Sequence, residues 1–286
     1  MRLITTILVV LFFSVISFGQ QADIAHIIPQ PLELNPAFAG SYFQYKADVY
    51  LSGYYLGITG SPKNIKLSSD IALEKFKSGL GLLYHGEEIG STKSKIMELA
   101  YSFNTLIKRM SLNIGVGVKY HNNRLNFDMY SPDYSSDLVI KNGSLNRLAL
   151  SGGLLLYNKR FYMSFSYIDQ YIYADSEEME PFGMGVFNIV SGYHFFKGNK
   201  ISFCPSIYTH IHRNYGNIIK LNLKAMIVNK VWLSTTLSSD EYYEFGVGID
   251  IWNYYVGFRE IRPIVNDNYV NSSKLEVFAG FYFDKN

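Results

Sequence analysis

The chain has 286 residues, with 26 lysines and arginines against 24 aspartates and glutamates, for a net charge of +2. That balance gives no reason to invoke nucleic acid, and the single cysteine, Cys204, excludes an internal disulfide and a cysteine metal cluster. Twenty-four tyrosines and twenty phenylalanines make the chain rich in aromatics, which suits the interfacial girdles of membrane barrels but also many soluble β-proteins.

The first residues read as a secretory signal peptide spanning 1–19. Met1-Arg2 is a short positive start, and Leu3 to Phe13 is apolar except for Thr5 and Thr6. Ser17-Phe18-Gly19 offers small residues where a signal peptidase reads, so cleavage is expected before Gln20. A membrane anchor would need a longer apolar run and a charged stop. The residue directly after the cleavage position is Gln20 and not a cysteine, so a lipid anchor is not expected. The rest of the chain has no apolar stretch of the roughly 20 residues that a spanning helix needs. If the mature chain crosses a membrane, it must do so as strands closed into a barrel.

Residues 20–41 form an irregular leader with Pro29, Pro31 and Pro36. Its apolar residues Ile24, Ile27, Ile28, Leu32 and Leu34 are poorly suited to free exposure in water. The expectation is that this leader packs into the periplasmic mouth of the barrel and partly closes it. The competing expectation is that it docks on a periplasmic ring protein.

Residues 42–286 read as one domain of alternating strands. In Lys220 to Ile227 the odd positions are all aliphatic and the even ones mostly polar. Successive side chains of a strand point to opposite faces, so the segment has one oily and one wet face. Glu244 to Ile251 and Lys274 to Phe283 repeat the pattern. The spacing predicts fourteen strands: 44–53, 63–73, 79–86, 94–105, 110–122, 145–157, 160–168, 183–196, 200–212, 217–228, 231–238, 241–251, 254–262 and 273–283. An even count suits an antiparallel barrel with both termini on one side. The face assigned to lipid holds Leu221, Leu223, Phe245, Val247, Ile249, Val277 and Phe281. A soluble sandwich would instead turn that face inward.

Connection lengths separate the two packings. The even connections are tight, such as Ile107-Lys108-Arg109 and Asn158-Lys159, while Asn123 to Ser144 and Asp169 to Phe182 are long. Outer-membrane barrels have short periplasmic turns and longer outward loops. The rule is imperfect, because the connections near Asn214 and Ser239 are also short. The short turns carry basic residues, including Lys75, Lys108 and Lys159, and the long loops carry acidic ones, including Asp133 and Glu177.

Two motifs carry a family resemblance. Leu34-Asn35-Pro36-Ala37-Phe38-Ala39-Gly40 resembles the signature that follows the signal peptide in the PorP/SprF family. Tyr54-Tyr55-Leu56-Gly57-Ile58-Thr59-Gly60-Ser61-Pro62 resembles a second family pattern, with Tyr55 in place of a tryptophan. The resemblance singles out Asn35, Pro36, Ala37, Gly40, Tyr55, Gly57, Gly60 and Pro62. It implies a non-enzymatic outer-membrane barrel of the type IX secretion and gliding system of Bacteroidetes. It further implies partners among the secretion or gliding machinery and exported proteins with a C-terminal sorting domain. Physically, Gly57 and Gly60 would allow positive φ angles and Pro62 would set the start of the next strand.

Catalytic and metal signatures are absent from the sequence. His210 and His212 share a strand face, but zinc wants a third ligand, and polar lumen residues explain the pair better. Gly115-Val116-Gly117 lies inside a strand pattern and reads as small lumen-facing residues rather than a phosphate loop. No cofactor is implied. The sequence reading is an all-β transmembrane antiparallel barrel in outer-membrane lipid that assists export or surface attachment. The alternatives are a general or substrate-specific channel of the same architecture and a secreted soluble β-sheet binding protein.

Overall fold

The computed structural model describes residues 30–54, 58–125, 143–174, 185–196, 200–212, 216–228, 230–264 and 273–285. The predicted signal peptide, the leader before Gln30, most of both long loops, Tyr55 and Gly57 lie outside the described residues.

Fourteen antiparallel strands close into one barrel. They are β1 Phe43–Tyr54, β2 Lys63–Leu73, β3 Ser78–Ile89, β4 Thr92–Ile107, β5 Met110–Leu125, β6 Gly143–Tyr157 and β7 Phe161–Ala174. The second half holds β8 Val186–Tyr193, β9 Ile201–His212, β10 Gly216–Ile227, β11 Val231–Ser238, β12 Tyr242–Ile251, β13 Tyr254–Pro263 and β14 Lys274–Asp284. Each strand pairs with its sequence neighbours, and β1 pairs with β14 to close the sheet. Closure satisfies both edges, which a sheet surrounded by hydrocarbon requires.

The apolar face points outward. On β10, Leu221 and Leu223 are 55% and 46% exposed, whereas Lys224 is 3% exposed. On β12, Phe245, Val247 and Ile249 are exposed and Asp250 is buried. Val277 is exposed too, while Phe281 is half-buried because the rings of Tyr45, Tyr254 and Phe283 crowd it on the outer wall. A soluble sandwich would show the reverse. An apolar wall around a charged interior is the arrangement of a barrel in lipid. Among the described residues no helix is long and apolar enough to cross a membrane.

Strand ends differ from the sequence reading in places. β7 continues to Ala174 instead of stopping at 168. Asp169 adopts φ 60°, and the pairing of β6 with β7 shifts near Ala149 and Gly152. This bulge breaks the alternation that marked the strand and turns Asp169 inward, 3.0 Å from Lys119 Nζ. β8 is shorter than expected, and Phe195 makes only an isolated bridge to Phe203. β4 and β5 both extend beyond the expected 94–105 and 110–122.

The antiparallel order puts the start of β1, the end of β14 and the even connections, the uniformly short ones, at one end of the barrel, the short-turn end. Lys285 ties that end together by donating to the carbonyls of Gly40 and Ser41 at 2.8 and 2.9 Å.

Candidate functional site

The segment Gln30 to Ser41 lies inside the barrel, in the half nearer the short turns. Its local structure follows from its prolines and one asparagine. Pro31 opens a single helical turn, α1 (Pro31–Leu34), at the position where its missing N–H costs nothing. Asn35 then breaks the helix with extended backbone, and Pro36 opens a 3₁₀ turn over Pro36–Phe38. The Asn35 side chain caps that turn by accepting from the Ala37 N–H at 2.8 Å.

Asn35 also anchors the segment to the wall. Its amide nitrogen lies 2.8 Å from Ser164 Oγ and 3.0 Å from the carbonyls of Leu154 and Phe165. The residue is fully buried. Side chains from around the lumen donate to the segment's carbonyls in turn. Ser166 reaches Leu34, Asn113 reaches Ala37, Ser102 reaches Ala39 and Tyr157 reaches Ser41, at 2.6 to 3.2 Å. A non-helical backbone inside a barrel needs such partners, because each buried unpaired carbonyl is costly.

Glycines in the wall make room for it. A Cβ at Gly115 of β5 would overlap the Ala37 backbone, one at Gly79 of β3 the Ala39 carbonyl, and one at Gly153 of β6 the Asn35 amide. Gly40 has φ +57°, and a Cβ there would stand 2.6 Å from the Ile71 carbonyl oxygen. No other residue type fits that turn without strain. The Gly40 N–H donates to Asp70 at 2.9 Å. Apolar contacts complete the seat. Leu32 and Ala39 pack with Leu83 and Ala100, and Ala37 and Phe38 pack with Leu155, Tyr162 and Val190.

Glu33 marks the boundary between this packed half and a polar chamber beyond it. Lys66 donates to both Glu33 oxygens at 3.0 and 2.8 Å, and His85 lies 3.7 Å away. Burial alone would raise the Glu33 carboxyl, but Lys66, His85 and Lys119 together hold it below the usual carboxylate range. The chamber has a volume of about 220 Å³. Cross-strand ion pairs line it, including Lys220–Glu244 at 3.1 Å and Arg259–Glu276 at 3.2 Å. Below, Lys46 and Asp48 form a buried pair at 2.8 Å, and Asp48 also accepts from the Tyr255 hydroxyl.

The structure divides the two sequence motifs. Asn35, Pro36, Ala37 and Gly40 come together at the short-turn end. Gly60 and Pro62 sit in the β1–β2 connection at the opposite end. Gly60 has φ +82° and its carbonyl accepts from Gly90, while the Pro62 carbonyl accepts from Tyr54 just before β2 begins. Tyr55 and Gly57 lie outside the described residues. His210 is held by Asn188 at 2.5 Å, and among the described residues no group of three His, Cys, Asp or Glu side chains could hold a metal. Sequence reasoning missed the wall glycines as the motif's receptor. Their only signal was small residues recurring at one strand parity, in Gly79-Leu80-Gly81, Gly115-Val116-Gly117 and Ser151-Gly152-Gly153.

Barrel closure, the outward apolar wall and the charged lumen define an outer-membrane β-barrel. Solved structures with the same architecture agree. The outer membrane protein Omp33 of Acinetobacter baumannii is similar at 10% identity and TM-score 0.51, over 85% of this chain and 100% of that one. The Ralstonia pickettii toluene transporter TbuX is similar at 11% identity and TM-score 0.51, over 93% and 96%. At such identities the likeness is one of fold. No curated protein matches the chain in sequence. The family model for the type IX secretion system membrane protein PorP/SprF matches residues 17–278, and the chain belongs to that family. It is therefore an outer-membrane protein of the type IX secretion class.

Proposed function

We propose that this barrel is a plugged accessory of type IX secretion that assists export or surface attachment of proteins with a C-terminal sorting domain. In this reading it is neither a conducting pore nor an enzyme. The short-turn end faces the periplasm, and the leader segment around Asn35 to Gly40 closes that mouth. The basic short turns, with Lys75, Lys108 and Lys159, offer a surface to periplasmic machinery of the opposite charge.

The observation that carries the reading is the fit between the Asn35–Gly40 motif and the wall glycines Gly79, Gly115 and Gly153. A pore that conducts has no use for a segment locked into its lumen by buried hydrogen bonds from several strands. The closed mouth lets the protein occupy the membrane without breaching it, which suits an accessory better than a channel.

Topology and role can be tested in cells. An epitope tag inserted at Ser136 is expected to be labelled on intact cells, and one at Lys159 is not. Reversed labelling would overturn the orientation. Replacing Lys75, Lys108 and Lys159 together with glutamate should reduce secretion while leaving antibiotic permeability unchanged. Normal secretion in that variant would remove the docking role from the short turns.

A further inference from the structure

The outward wall carries a hollow that the lumen does not explain. It lies at the long-loop end, where β1 to β4 run side by side next to β14. The strand register puts Gly53, Lys63, Glu88 and Lys93 in one row across β1 to β4. Leu51, Ile65, Gly86 and Lys95 form the next row toward the middle of the membrane. Leu51 and Ile65 are 52% and 39% exposed, so these rows face lipid.

Glycine opens the hollow. A Cβ at Gly86 would stand 2.9 Å from Tyr84 Oη and 3.2 Å from Ile65 Cγ2, so any larger residue would start to fill the space between them. The hollow measures about 660 Å³ and is walled by Leu51, Ile65, Tyr84, Leu275 and Val277. In a bilayer such a space is taken by acyl chain, because water there would face apolar side chains.

Charge at the rim selects which lipid. Lys93 pairs with Glu88 at 2.9 Å. Lys63 and Lys95 face outward with the same strand parity and have no ion-pair partner among the described residues. Lysine stems lie along apolar surface and carry their ammonium groups toward the headgroup layer. Interfacial lysines alone would be ordinary. Here they flank a chain-sized hollow, which fixes the position of the headgroup relative to the tail.

We propose that this hollow binds a phosphorylated acyl lipid of the lipid A class, with a chain over Gly86 and a phosphate between Lys63 and Lys95. The outer leaflet follows from the orientation proposed above, on which this inference rests. The purified full-length barrel should retain bis-phosphorylated lipid A in native mass spectrometry about tenfold more than its dephosphorylated form, since two lysines contribute to holding it. The double variant K63Q/K95Q should lose that preference. Gly86→Leu should weaken retention with both lysines intact, and circular dichroism should show both variants folded. Equal retention of the two lipid A forms, or unchanged retention in both variants, would overturn the site. Phosphatidylglycerol retained as well as lipid A would overturn the lipid assignment. Tag labelling at Ser136 and Lys159 reports the orientation separately. Reversed labelling with lysine-dependent retention would defeat the leaflet and leave the hollow standing.

Discussion

The two halves of the lumen solve the same problem in opposite ways. Near the short turns the barrel is filled by its own chain, seated on glycines and tied mainly by neutral hydrogen bonds, with Lys285, Asp70 and the Lys46–Asp48 pair as the charged exceptions. Toward the long loops it is lined by charged residues in cross-strand pairs around a chamber. Neutral hydrogen bonds have strict directional demands, so the filled half has one geometry. The ion pairs of the other half border a cavity, and Lys220 is partly open to it, so the chamber half can change shape or hold water at smaller cost. Specificity in this protein sits in the filled half and its neutral hydrogen bonds, although the charges are more conspicuous in the sequence.

Substituting leucine in each half should expose that difference most sharply. Gly115→Leu drives a side chain into the Ala37 backbone. It should unseat the segment or cost at least about 3 kcal/mol in urea unfolding from vesicles, at the upper end of overpacking penalties. Ser234→Leu, which lines the chamber, should cost less than about 1 kcal/mol. Equal costs would erase the distinction.

Asn35→Ala is the next largest effect. It removes the amide contacts to Leu154, Ser164 and Phe165 and leaves the Ala37 N–H without its cap. The expected loss is about 2–4 kcal/mol, from net hydrogen-bond values and one stranded donor. Truncating a chamber pair should do far less. Lys220→Gln breaks a contact that is partly open to water, and should shift unfolding by no more than about 1 kcal/mol.

Glu33 stands between the halves and gives the comparison a pH dependence. Its carboxyl is held below the usual range in the folded protein, so its contribution is present above the unfolded carboxylate pKa. That contribution is lost as pH falls through the lower folded value. The acid limb of the unfolding profile should therefore flatten in Glu33→Gln. An identical limb in the variant would show that Lys66 does not stabilise the charged form.

Much of the barrel was legible because lipid and lumen impose opposite demands on alternate residues. Leu221 and Lys224 declare their faces without reference to any partner. The bulge at Asp169 was not legible, since it breaks the very periodicity that marks a strand. Nor was the seat of the Asn35–Gly40 motif. Gly79, Gly115 and Gly153 lie far along the chain from the segment they accommodate, and an isolated glycine in a strand says only that space is needed, not what fills it. The motif itself was recognised by resemblance, which located it without revealing what its residues touch.

In the proposed function the Gln30–Ser41 segment seals the short-turn end. Planar-bilayer conductance of the full-length protein, beside a variant lacking residues 30–38, tests it most directly. The full-length barrel is expected to be silent, and stable conductance steps are expected once the segment is removed. Steady conductance from the full-length protein, with steps equal to those of the deletion variant, would contradict it.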